Sequence, residues 1–221
     1  MKEKNSHAEG AVIGKDEPMG TRARILRAAE ALFAEHGIDA VSLREITVAA
    51  QVNIAAIHYH FGSKEAVLHE IFTSKAKPIA ELRLRLLNEV RKDKDGRPIL
   101  EDILRAFLKP AFDVPNEGSH KAAFSLLRAR LAFEPKEVRK AVLGKAFDES
   151  GNEYLSALRL ALPELQEEHL LWRFHFVLGA MVYSMASPGR LESMTNGAFD
   201  TTDNEVALEE LVAFAAAGFR A

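Results

Sequence analysis

The 221-residue chain contains no cysteine, which excludes disulfides and thiolate metal centres and is compatible with a reducing compartment. It also lacks long apolar runs: charges interrupt every such stretch before the roughly 20 residues that a bilayer span requires. No hydrophobic signal region opens it, so the expectation is a cytoplasmic protein with no membrane partner. Charge of one sign is not in excess either, the formal net charge being -3. Glycine-rich phosphate loops, the H-E-x-x-H pair and a serine elbow are missing from the sequence, so the common hydrolytic and nucleotide-dependent enzyme classes have no motif here, and no cofactor is implied. What the chain does have is apolar material, 48% of its residues, enough for one medium domain or for a small domain joined to a larger one.

Residues 1–19 are polar and without apolar period, the composition of a disordered leader. From Thr21 onward apolar residues recur at three and four spacing, which predicts an all-α fold. Ile25, Ala29, Leu32 and Phe33 form the stripe of a first helix, with Thr21 as its cap and Gly37 as its stop. In "VSLREI", Ser42 and Glu45 have capping-box spacing and Val41 and Ile46 sit at the staple positions of a second helix. After Gln51 the same grammar repeats, with Asn53 as cap and Val52 facing Ile57. Gly62 ends this short third helix and Ser63 begins a fourth. Two short helices joined by a tight turn, behind a longer one that covers their apolar faces, make a helix-turn-helix unit.

On the third helix Ile54, Ile57 and Phe61 are expected to point inward together. Asn53, Ala55, Ala56, Tyr59 and His60 then project outward. His58 and His60 are two apart, about 200° around a helix, and cannot share one ion, so no metal is expected. A nucleic-acid groove suits this face better. Alanines allow the backbone close to base edges and can meet a thymine methyl, while Tyr59, His60 and Lys64 can bond phosphates. From Met1 to Gly62 seven basic side chains stand against eight acidic ones, so this is not the basic domain usual in a DNA binder. The run from Ile46 to Lys64, however, holds no acid. Arg22, Arg24, Arg44 and the N-terminal ends of the capped helices can supply positive potential.

The stretch "TRARILRAAEALFAEHGIDAVSLREI", followed by "VNIAAIHYHFGSKEAVL", resembles the DNA-binding domain of TetR/AcrR-type transcriptional regulators from Thr21 to about Phe72. It departs from the usual pattern at Thr47, where alanine is frequent, and at Gln51, where the turn commonly carries glycine. A non-glycine residue in a left-handed turn costs about 1 kcal/mol. The resemblance makes Val52 to Phe61 the recognition helix, with Ala55, Ala56 and His58 nearest the bases. Asn53, Tyr59, His60, Lys64, Ser42, Arg44 and Thr21 would be mainly phosphate-positioning. Ser42 and Asn53 also read as plain helix caps, and His58 as a satisfied histidine at the edge of the core. The implied organisation is a helix-turn-helix domain over 20–66 and a larger helical ligand-binding and dimerisation domain over 67–221.

Downstream, helices are expected near Ser63–Arg91, Pro98–Asp113, Ser119–Phe133, Pro135–Leu162, Glu164–Ala186 and Asn204–Phe219. "DVPNEGS" and "SPGRLESMTNGAFDTTDN" read as loops on turn composition. Pro78 and Gly151 are points where their helices can kink or restart. In "HLLWRFHFVLGAMVYSMAS", Leu170, Leu171, Phe174, Val177, Leu178, Met181, Val182 and Met185 cover more than one stripe, so one side can pack within the subunit and the other on a partner. Gly179 and Ala180 permit close approach, and the last helix offers Leu208, Leu211, Val212, Ala215 and Phe219. The expectation is a homodimer through the last two helices, against the alternative of one central helix in a monomer.

For an effector, Phe107, Phe124, Leu127, Leu131, Phe147, Tyr154 and Phe174 can line an apolar cavity in which Arg128, Arg130 or His175 orients an acidic group. The plainer alternative is that the phenylalanines are ordinary core and the arginines reach solvent or a carboxylate. The "WRFHFVLGAM" helix is similar to those of family members that sense acyl compounds, which implies an apolar or acyl-like effector. Together these features lead to a homodimeric repressor that an effector releases from a palindromic double-stranded operator. A helical adaptor, or an enzyme using the C-terminal cavity, is the alternative.

Overall fold

The computed structural model describes residues 19–112, 119–131, 133–134, 136–186, 189–200 and 203–221. The expected leader, but for Met19, and most of the "DVPNEGS" stretch lie outside the described residues. Among those described, the chain forms α1 (Thr21–His36), α2 (Leu43–Ala50), α3 (Ile54–His60), α4 (Lys64–Asn88) and α5 (Leu100–Phe112). Beyond these come α6 (Ser119–Leu131), α7 (Lys136–Ala161), α8 (Glu167–Ala186), α9 (Arg190–Met194) and α10 (Asn204–Arg220). No strand occurs among the described residues, only an isolated antiparallel bridge between Lys92 and Pro98 in the α4–α5 turn. The all-α expectation therefore holds.

Local chemistry sets most of the boundaries. At α2 the Ser42 Oγ accepts from the Glu45 N–H, and the Glu45 carboxylate accepts from the Ser42 N–H at 2.7 Å. The Ser42 hydroxyl, which also donates to this carboxylate, and then the Ser42 N–H hold the Glu45 carboxyl below its ordinary range. Asn53 Oδ1 caps α3 through the Ala56 N–H at 2.9 Å, and Ser63 Oγ caps α4 through that of Ala66 at 3.1 Å. Gly37, at φ +88°, stops α1 in a conformation that side chains avoid. Thr21 is not a cap: it is the first residue of α1, whose N-cap is Gly20 with no side-chain bond. Pro78 and Gly151 neither end nor restart a helix, lying within the continuous α4 and α7. The stretch expected to be a loop from Ser187 to Asn204 contains α9, which starts beside Gly189 in a left-handed conformation.

Two apolar cores result. The first gathers Ile25, Ala29 and Phe33 of α1, Ile46 of α2, Ile57 of α3 and Val67, Leu68, Ile71 and Phe72 of α4. It also includes Phe124, Leu127 and Leu131, because α6 lies along α1. The second core joins α5, α7, α8 and α10 through Ile103, Leu104, Leu108, Leu158, Val177 and Phe219, among others. The long helix α4 belongs to both, since its first half packs on α1 while its second half runs against α5 and α7. An ion pair between the buried Glu30 of α1 and the half-buried Lys75 of α4 ties the first core along its length.

Candidate nucleic-acid interface and ligand core

The turn between α2 and α3 is made by Gln51, which adopts the left-handed φ 53° and ψ 50° while its N–H bonds the Val48 carbonyl at 3.1 Å. The next N–H, of Val52, returns to the Thr47 carbonyl at 3.0 Å. This closes the helix end and sets the direction in which α3 leaves.

Ile57 is the buried anchor of α3, with Val52, Ala56 and Phe61 half-buried around it. The inward stripe is therefore centred between positions 56 and 57, and two expectations change. Ile54 is 46% exposed rather than inward, because the first helical residue has no preceding turn to pack it down. Ala56 is packed against the core rather than projecting. The outward face consists of Ile54, Ala55, His58 and Tyr59, with Asn53 and His60 at its margins.

Tyr59 is 85% exposed, its ring held edge-on to His60 at 5.1 Å. His58 Nδ1 lies 3.2 Å from the Gly62 carbonyl. A carbonyl only accepts, so Nδ1 carries the proton and Nε2 is left as an outward acceptor in the neutral ring. Ser42 and Arg44 are exposed at the start of α2, the Ser42 hydroxyl donating to Glu45 at 2.7 Å. Arg22 pairs with Glu70 at 2.6 Å and lies over the Phe61 ring. Lys64, expected at a phosphate, is committed elsewhere. Its ammonium donates to the carbonyls of Ile38 at 2.9 Å and Val41 at 3.0 Å, with that of Asp39 at 3.4 Å. All three of its donors thus stitch the start of α4 to the α1–α2 loop.

The residues expected around an effector do not all come together. Phe124, Leu127 and Leu131 belong to the first core, where Phe124 packs on Phe72 at 5.3 Å. His175 is on the exposed side of α8, edge-on to Trp172. Arg130 donates to the Glu35 carbonyl at the end of α1 at 3.0 Å. The rest do converge. Phe107 meets Tyr154 at 5.0 Å and Phe174 at 5.1 Å, and the Arg128 guanidinium stacks over Phe147 at 5.0 Å.

At their centre is a residue missed in the sequence, Arg83 of α4. Its Nε donates to the Phe107 carbonyl at 2.9 Å, its guanidinium lies 3.9 Å from the centre of the Phe107 ring, and its backbone carbonyl accepts the Tyr154 hydroxyl at 2.8 Å. The signal was available: Leu68, Phe72, Ala76 and Ile79 continue at helical spacing to position 83, so the inward register falls on an arginine. Burial, together with the neighbouring Arg128, lowers the Arg83 pKa to about 9. Burial alone lowers that of Arg128 to about 10. Both remain cations near neutral pH; burial raises the Tyr154 phenol out of its ordinary range, and the charge of Arg83 opposes that rise.

A third surface lies on α8 and α10. Leu171, Trp172, Phe176 and Tyr183 of α8 and Val206 and Phe214 of α10 are exposed, with Trp172 stacked on Phe176. The side of α10 expected to form an interface, Leu208, Leu211, Val212, Ala215 and Phe219, is instead buried within the subunit. A groove of about 400 Å³ between α8, α9 and α10 includes Tyr183, Leu191, Phe199 and Phe214.

Comparison with known proteins agrees with this architecture. The family model described as "Bacterial regulatory proteins, tetR family" matches residues 25–71, and that described as "Tetracyclin repressor-like, C-terminal domain" matches residues 105–218. The HTH-type transcriptional regulator AcrR of Shigella flexneri is 36% identical over 90 residues, 41% of this chain and 41% of its own length. The HTH-type transcriptional repressor KstR2 of Rhodococcus jostii is 40% identical over 146 residues, 66% of this chain and 61% of its own. The chain thus spans less than two thirds of either curated relative. Among solved structures, the TetR family transcriptional regulator PfmR of Thermus thermophilus superposes with a TM-score of 0.59 at 22% identity, covering 88% of this chain and 96% of that one. With both halves matched by family models, the chain belongs to the TetR family of bacterial regulatory proteins.

Proposed function

We propose that this chain is a DNA-binding transcriptional repressor that acts as a homodimer and leaves its operator when a small effector binds the C-terminal core. The observation that carries this reading is the outward face of α3, where Ala55, His58 and Tyr59 stand exposed on a helix whose underside is fixed by Ile57. His58 presents an acceptor at Nε2, suited to the amino group of cytosine or adenine in the major groove. Ala55 allows close approach, and the exposed Ile54 can lie against a thymine methyl. Tyr59, His60, Asn53, Ser42 and Arg44 flank this face as phosphate contacts, with Thr21 at the start of α1. Lys64 leaves the contact set and becomes a strut beneath it.

Dimerisation through α8 and α10 explains why large apolar side chains from Leu171 to Tyr183 remain exposed on one subunit. Gly179 and Gly218 have open space where a Cβ would be, so helices of a second copy can approach closely. The effector is read as an apolar or acyl-like compound entering the aromatic core around Phe107, Phe147 and Phe174.

Selection of bound fragments from random duplex DNA, followed by affinity measurement at several salt concentrations, tests this reading. The expected outcome is a palindromic preference and an affinity that falls steeply with salt. His58→Ala should lose about 1–3 kcal/mol and relax the preference at one position of each half-site, whereas Tyr59→Phe should weaken all sequences alike. An affinity indifferent to salt would instead identify a protein-binding adaptor.

A further inference from the structure

Arg83 of α4 and Arg128 of α6 are 2% and 7% exposed, yet among the described residues neither has a carboxylate within ion-pair distance. The two Nη2 atoms converge on one acceptor, the Met181 thioether, at 3.6 Å from Arg83 and 4.0 Å from Arg128. Both guanidiniums also lie over the face of Phe147, at 5.8 and 5.0 Å. Sulfur is a weak acceptor, and an aromatic face offsets only part of the lost hydration of a cation. Two like charges facing each other without an anion is among the least favourable arrangements a protein interior can hold. A chain selected only for stability would carry leucine or methionine at both positions.

We propose that Arg83 and Arg128 are the anion-binding end of the effector site: an oxyanion of the carboxylate or phosphate class, carried on an apolar body, displaces the Met181 thioether and is gripped between the two guanidiniums. This rests on the ligand-responsive reading above and gives its effector a charge. Guanidinium forks match the oxygens of either group, and an unbranched methionine side chain can swing aside without moving backbone. Phe107, Phe147 and Phe174 then receive the apolar body.

The same pair supplies a route to the DNA-reading unit. Arg128 is two residues before Arg130 on α6, and the Arg130 guanidinium donates to the Glu35 carbonyl where α1 ends. α6 also contributes Leu127 and Leu131 to the first core. An anion that draws Arg128 toward Arg83 therefore pulls on the helix that buttresses α1, while Arg83 itself lies on α4, the helix that continues from the reading face.

Thermal unfolding of the full chain with octanoate, octyl phosphate and the uncharged octanol tests this, with wild type compared with Arg83→Met and Arg128→Met. One or both anions should raise the wild-type Tm with concentration and octanol should not, the stronger of the two anions identifying the group. Each methionine variant should lose the shift while melting, without ligand, no lower than wild type. Half-buried Arg105, paired with Glu209, serves as the control: Arg105→Met should keep the shift. Equal shifts with octanol, shifts that survive in both methionine variants, or variants that no longer fold would overturn the proposal. Arginine Nε–Hε NMR signals of the wild type give a second readout needing no variant, and signals of Arg83 and Arg128 that stay put as octanoate is added would equally overturn it. Release of the selected operator is followed in parallel. Anion binding at the arginines without release upholds the site and contradicts the ligand-responsive reading, whereas operator binding with no anion response removes the site alone.

Discussion

Gln51 holds a left-handed backbone that costs a residue with a Cβ about 1 kcal/mol, and its side chain is exposed, without a hydrogen bond to offset the strain among the described residues. Gln51→Gly should raise stability by about that amount in urea unfolding, with operator affinity unchanged, since the turn geometry is already the one glycine prefers. Lys64 makes the opposite point. Its ammonium serves three carbonyls of the α1–α2 loop, so Lys64→Ala should cost about 2 kcal/mol of stability, and the folded variant should bind DNA nearly as well as wild type. Denaturation and binding curves on one preparation separate the two effects; a large affinity loss at unchanged stability would return Lys64 to the phosphate contacts. Helix caps are written within four residues of sequence, which is why Ser42, Asn53 and Ser63 could be read directly. The partners of Lys64 are 23 to 26 residues away, and no local pattern announces them.

At the scale of elements, α6 is where sequence and structure part. Its Phe124, Leu127 and Leu131 have the spacing of any buried helical face, and periodicity states that a face is buried without naming what covers it. The structure gives that face to α1 and α4, so these residues support the reading unit instead of lining a cavity. Leu127→Ala should therefore destabilise the chain by about 2–5 kcal/mol and weaken DNA binding in proportion to the unfolded fraction, as read by circular dichroism and anisotropy together. α3 shows the reverse case. Ile57 and its neighbours made the helix and its outward face legible, but the position of the stripe shifted by about one residue. A seven-residue helix has too few apolar positions to fix its own rotation, and Ile54 at its start is held by no preceding turn.

For the whole molecule, the proposed dimer rests on the exposed apolar side chains of α8 and α10. Phe176 and Phe214 are 62% and 73% exposed, large areas for aromatic rings facing water. Phe176→Glu should shift the protein to monomer in sedimentation experiments and lower operator affinity by a large factor, because a lone subunit reads only a half-site. The two-sided character of α8 was legible as apolar residues around most of the helix, whereas on α10 the stripe that stood out in sequence proved to be the internal one. The most direct test of the account uses the selected palindrome with about five base pairs inserted between its half-sites, half a helical turn, which places the two reading faces on opposite sides of the duplex. The expected result is loss of high-affinity binding by two protomers, restored when about ten base pairs are inserted and absent in Phe176→Glu. Equal affinity for all three spacings would contradict a symmetric pair of α3 helices as the reader.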